Sequence, residues 1–113
     1  MIAEMAKRWT DALRSGEYEQ GKDWLRKGDR FCCLGVLCDV VGVEWAPSCD
    51  EKEGCAANGK DRLGLPDVVK DAAGMRDPIG RYSPSESLTW LNDVMEWDFK
   101  KIADFIDTNW GIL

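Results

Sequence analysis

From Cys32 to Val41 the chain runs through Cys-Cys-Leu-Gly-Val-Leu-Cys-Asp-Val-Val, apolar nearly all round, and Gly42 follows. A helix without a polar face has no side to turn to water, so such a segment is buried on every side. At ten residues it is longer than an ordinary strand, and Gly42 stops it. The chain must therefore fold by packing its other elements around this one. Just before it, Trp24-Leu25-Arg26-Lys27 and Arg30-Phe31-Cys32 flank Gly28-Asp29. A Gly-Asp pair between two short runs predicts a hairpin with a two-residue turn.

The partners for that helix follow from spacing. Ile2, Met5, Ala6, Trp9, Ala12 and Leu13 form one face of a helix of about 13 residues that Ser15-Gly16 ends. Glu17 to Lys22 is polar and loop-like. Residues 43–64 hold Pro47, Gly54, Asn58, Gly59 and Gly64, and are expected as a long loop or a short strand pair. Pro66 opens a short helix with Leu65, Val68, Val69 and Ala72 as its stripe, closed by Gly74. Ser83-Pro84-Ser85-Glu86 has the form of a capping box, predicting a helix from Ser83 that presents Leu88, Leu91 and Met95. A last helix from about Trp97 to Asn109 carries Phe99, Ile102, Ala103, Ile106 and Trp110 on one face. The expected fold class is α+β and mostly helical. It is a compact single domain over 1–113, with four or five helices and one short β-hairpin.

Composition narrows the chemistry. The 113 residues include no histidine, which removes Ser-His-Asp triads, Cys-His pairs and imidazole zinc sites. Of five cysteines, Cys32, Cys33 and Cys38 read as small buried hydrophobes. Cys49 and Cys55 lie in a polar segment without CxxC spacing and are expected as thiols in a cytosol. Neither a metal nor an organic cofactor is expected. Among six tryptophans, Trp9, Trp90 and Trp110 are expected as core anchors. Trp24, Trp45 and Trp97, at segment edges, suit a groove, a subunit contact or a ligand face. Met1 to Arg14 is charged and amphipathic, and no apolar run nears the roughly 20 residues of a membrane span, so a soluble cytoplasmic protein is expected.

The net charge of −6 argues against general nucleic-acid binding. That charge is unevenly spread. Residues 1–31 carry seven Lys/Arg against six Asp/Glu, and residues 32–113 carry eight against fifteen. Lys22, Arg26, Lys27 and Arg30 fall within nine residues, interleaved with Trp24 and Phe31. This cluster is the best place for an anion. With Arg14, Tyr18 and Gln20 around the same turn, and Gly16 and Gly21 permitting close backbone approach, it forms the candidate ligand site: Arg14, Tyr18, Gln20, Lys22, Trp24, Arg26 and Arg30. Asn92 and Asp93 read as braces of the turn before the last helix.

Two stretches carry a resemblance. One is Ala12-Leu13-Arg14-Ser15-Gly16, Tyr18, Gln20-Gly21-Lys22, Leu25-Arg26 and Phe31 to Asp39; the other is Ser87-Leu88, Leu91-Asn92-Asp93, Phe99, Ile102-Ala103 and Ile106. Leu65-Pro66 and Ala73-Gly74-Met75 also fit. The pattern resembles small, mostly uncharacterised proteins of bacteriophages and some bacteria. The resemblance implies a phage accessory protein acting on the host and brings no chemistry with it. Together with the basic cluster it leads to an expected function. That function is a non-catalytic, homo-oligomeric protein that sequesters a phosphate-bearing small molecule, such as a host nucleotide immune signal. The alternative is an interaction module that inhibits a host enzyme. A helix-turn-helix DNA binder is disfavoured, because Asp104 and Asp107 offset Lys100 and Lys101 on the last helix. A metal-dependent hydrolase around Asp29, Asp39 and Asp93 has no diagnostic spacing.

Overall fold

The buried central helix is observed as Cys33–Val41 (α2), with Cys33 through Cys38 inaccessible to solvent and Gly42 ending it. The computed structural model describes residues 1–45 and 64–113. Most of the expected long loop over 43–64 thus lies outside the described residues, with Cys49 and Cys55. Against α2 packs α1 (Ala3–Arg14), whose Trp9 is fully buried and donates its indole N–H to the Cys33 carbonyl at 2.8 Å. The remaining elements are β1 (Glu19–Gln20), β2 (Arg26–Lys27), β3 (Arg30–Phe31), α3 (Asp67–Ala73), α4 (Leu88–Asp93) and α5 (Phe99–Asn109). A 3-10 turn over Trp110–Ile112 follows. α5 lies along α1 and buries Phe99, Ile102, Ala103 and Ile106, the stripe its spacing predicts. The fold is a mostly helical α+β domain around one hydrophobic core.

The hairpin forms at Gly28-Asp29, pairing Arg26 with Phe31 and Lys27 with Arg30. Gly28 has φ +60°, the left-handed value a primed turn needs at its first central residue. The polar Glu17–Lys22 stretch is not wholly loop. Glu19–Gln20 adds a parallel strand to β3, giving the order β1-β3-β2, and the Gly21 N–H extends the ladder to the Phe31 carbonyl at 2.8 Å. A two-residue strand of Glu and Gln has no alternation to read. Its pairing comes from the open edge of β3.

Three expectations are corrected. The capping box at Ser83 does not start a helix: α4 begins at Leu88, capped by the Ser87 hydroxyl, which accepts from Trp90 N–H at 3.1 Å. The first N–H groups of α4 are satisfied by returning backbone, Leu88 donating to Gly80 O and Thr89 to Ile79 O. Tyr82 and Ser83 N–H instead close a loop onto the Glu86 carbonyl, and the Ser83 hydroxyl finds no partner among the described residues. The α3 stripe is Leu65, Val69 and Ala73, while Val68 and Ala72 face out. One step of register separates the two faces on so short a helix. Trp110 and Met95 are exposed rather than core, because α5 and α4 end before them. Trp90 is half-buried.

Candidate functional site

The groove of interest forms where β1 and the loop after it meet the hairpin and the α4–α5 connection. Its volume is about 710 Å³, and Glu19, Gln20, Gly21, Lys22, Trp24, Lys27, Asp29, Arg30, Asn92 and Glu96 line it. That size lies within the range of small-molecule sites.

Its floor is fixed by Asn92, at 2% exposure. The Asn92 carbonyl oxygen accepts from Cys33 N–H at 3.2 Å and from Gln20 Nε2 at 2.9 Å. Its amide nitrogen donates to Gly21 O at 2.9 Å and Asp93 Oδ1 at 2.7 Å. Gln20 Nε2 also reaches Trp97 O at 2.8 Å. One amide therefore ties the loop after β1, the start of α2 and the end of α4 together; its partners are Gln20, Gly21, Cys33 and Asp93 rather than the turn before α5 that it was expected to brace.

Across this floor Lys22 Nζ meets Glu96 Oε1 at 2.6 Å, and the contact lowers the Glu96 pKa and raises that of Lys22. Two non-glycine residues beside the contact hold left-handed backbone, Asp23 at φ +70° and Glu96 at φ +55°. Such conformations cost free energy and gather at functional positions. Asp93, half-buried below, has its pKa raised chiefly by desolvation, against hydrogen bonds from Asn92 and the Asp23 backbone that lower it. A carboxyl whose folded pKa is raised binds protons more readily folded than unfolded. Its ionisation therefore weakens the fold as pH climbs from the unfolded pKa through the folded one. Asp93→Asn keeps an acceptor and drops the charge. Its stability relative to the native chain is expected to be most favourable near pH 7 and to decline as pH falls through the carboxylate range, read by urea denaturation at several pH values.

The seven residues singled out by sequence do not gather in one place. Gln20, Lys22, Trp24 and Arg30 line the groove. Arg26 occupies the opposite face of its strand from Lys27, as alternation requires, with its guanidinium 5.0 Å from the Phe31 ring centroid and 5.6 Å from that of Trp45. Tyr18 donates to Asp39 Oδ2 at 2.6 Å, and burial, then that bond, push its pKa up to about 12. Asp39 also accepts from Trp45 Nε1 at 3.2 Å. Arg14 lies at the α1–α5 contact, its Nη2 held 2.7 Å from Asp104 and 2.6 Å from Asp107. Arg14→Ala is expected to lower stability by about 1 kcal/mol or less, since both pairs reach solvent. It should leave binding in the groove unchanged, which denaturation and calorimetry on one sample would read. Lys27 is the groove cation that the sequence reading left out of the site. The signal for it was present, since a two-residue turn at Gly28-Asp29 sets positions 27 and 30 directly opposite.

The candidate carboxylates for metal chemistry are dispersed into other contacts, and no group of three or more metal-ligating side chains gathers among the described residues. Cys32, Cys33 and Cys38 are buried thiols, with pKa values raised by desolvation, to about 12 for Cys32. They fill core volume as apolar groups. No helix among the described residues is long and apolar enough to cross a membrane.

A domain of unknown function (DUF8296) matches residues 1–110, and the chain belongs to that family. No curated protein and no solved structure matches it.

Proposed function

We propose that this protein binds a phosphate-bearing, nucleotide-like small molecule in the groove and holds it without transforming it. The observation that carries this reading is the convergence of Lys22, Lys27 and Arg30 with Trp24 on one open concavity above a hydrogen-bonded amide floor. Cations supply the phosphate contacts and an indole supplies a flat apolar face. The groove carboxylates Asp29 and Glu96 suit the hydroxyls and amino groups of a nucleoside. In the finer form of the proposal, the protein is a phage accessory factor that removes a host nucleotide signal from circulation.

Isothermal calorimetry at low salt tests the reading with AMP, ADP-ribose and cyclic dinucleotides. Saturable binding that Trp24→Ala and Arg30→Ala weaken, with unchanged melting temperatures, supports it. Absence of binding across that panel sinks it.

A second reading is a protein contact. Ile2 and Ile112 are each 49% exposed. Ile2 N–H donates to Ala73 O, and Arg76 N–H donates to Leu113 O beside Ile112, so both isoleucines belong to segments tied to the end of α3 and the residues just after it. Apolar groups gathered this way suit a protein partner, a host enzyme or a second copy of the chain. Sedimentation of the purified protein separates these two: a dimer that Ile112→Asp dissociates identifies the second copy.

A further inference from the structure

The geometry points to a seat for a single phosphoryl group between Lys27 and Arg30, with Glu19 as the resident counter-ion that the group displaces. The inference rests on the reading of the groove as an anion site and adds where the anion sits and what it competes with. The sheet register carries it. Lys27 is paired directly opposite Arg30 in the hairpin, and Glu19 stands opposite Arg30 on the other side. The row Glu19, Arg30, Lys27 thus crosses one face of the sheet, and all three line the groove.

Like charges directly opposite each other weaken a strand pair. Among the described residues nothing fully relieves them. Glu19 Oε1 lies 3.7 Å from Arg30 Nη2, well beyond the 2.6 Å of Lys22 and Glu96 and beyond a charge-assisted hydrogen bond. Lys27 forms no ion pair among the described residues. Asp29, in the turn itself, is nearly fully exposed and 3.9 Å from Arg26, whose guanidinium lies against Phe31 and Trp45. Arg30 is also held at its base: a Cβ on Gly21 would fall 2.9 Å from Arg30 Cβ, so only a glycine lets the loop press this close. A tetrahedral phosphoryl group offers several acceptor oxygens, enough for a guanidinium fork and an ammonium together. Its arrival replaces a loosely placed carboxylate, so Glu19 sets the affinity of the seat by competition.

The test is a titration of the full chain with inorganic phosphate, then AMP and a cyclic dinucleotide. It is followed by amide chemical shifts at constant ionic strength, with adenosine as the control. Saturable shifts at Glu19 and Lys27 to Phe31 are expected with every phosphate probe and not with adenosine. Lys27→Ala is expected to weaken binding roughly tenfold or more, the loss of a charged hydrogen bond. Glu19→Gln is expected to tighten it severalfold. The tighter of AMP and the cyclic dinucleotide identifies a monoester or a diester as the natural form. Phosphate that shifts nothing at the hairpin overturns the seat, as does nucleotide binding that Lys27→Ala and Glu19→Gln leave unchanged; the second result keeps the groove reading intact. Phosphate binding at the hairpin without any nucleotide binding retains the seat and removes the nucleotide reading.

Discussion

Gly35→Ala is expected to be more damaging than a methyl group added at Gly16, Gly21, Gly42, Gly64, Gly74, Gly80 or Gly111. A Cβ at position 35 would fall inside the carbonyl oxygen of Leu25 and 2.7 Å from its carbon. Both partners are backbone, in the first turn of α2 and in the run leading into β2, so no side chain can rotate out of the way. Leu25 is itself fully buried and its carbonyl accepts from Cys32 N–H at 3.2 Å, so moving it also breaks the contact that starts α2. Overpacking of side chains costs about 1–3 kcal/mol, and a backbone clash belongs at or above the top of that range. About 3 kcal/mol is a large part of the roughly 5–15 kcal/mol that holds a domain together. It should lower the melting temperature by roughly 12 °C or more. Gly111→Ala is the matched control, because a Cβ there meets nothing within 4 Å. Thermal melts of the two variants decide it: a Gly35→Ala protein within 1 kcal/mol of the native chain would show that α2 and the hairpin do not approach as described.

The same contact explains how much of the fold was legible. The run from Cys32 to Val41 declares its burial by lacking a polar face, and the α5 stripe repeats at helical spacing, so both are read from local pattern. Gly28-Asp29 announces its turn by residue type. Glu19–Gln20 announces nothing, since the edge of β3 makes it a strand. Ser83-Pro84-Ser85-Glu86 shows the reverse case. Its local capping pattern is complete, yet the carbonyls of Ile79 and Gly80 satisfy the true helix start five residues later. The site was legible as a composition and not as a geometry. Arg14, Tyr18 and Arg26 share a neighbourhood in sequence with Lys22 and Arg30, but each is claimed elsewhere, Arg14 and Tyr18 by groups that no short window contains. Arg14 is claimed by Asp104, 90 residues away, Tyr18 by Asp39, and Arg26 by the rings of Phe31 and Trp45.

Asn92→Ala is expected to weaken the fold by about 3 kcal/mol and to loosen the groove with it. The native amide uses both of its donors and both acceptor directions of its oxygen. Truncation strands the Cys33 N–H at the buried start of α2 and the Gly21 carbonyl, each costing about 1–3 kcal/mol when left without a partner away from water. Gln20 suffers less, because Trp97 O still accepts from it at 2.8 Å. Asn92→Asp separates size from hydrogen bonding. It fills the same space and keeps an acceptor for Cys33, yet it loses both donors and sets a carboxylate against Asp93, whose pKa burial already raises. Asp is therefore expected to be no better than Ala near pH 7 and to recover as pH falls and one of the two carboxyls takes a proton to share. Hydrogen exchange at the Cys33 amide gives the local readout. In both variants it should lose protection ahead of the α5 amides, since the broken bond is its own. If Cys33 stays as protected as α5 while global stability is unchanged, Asn92 is not the brace between the groove and the core.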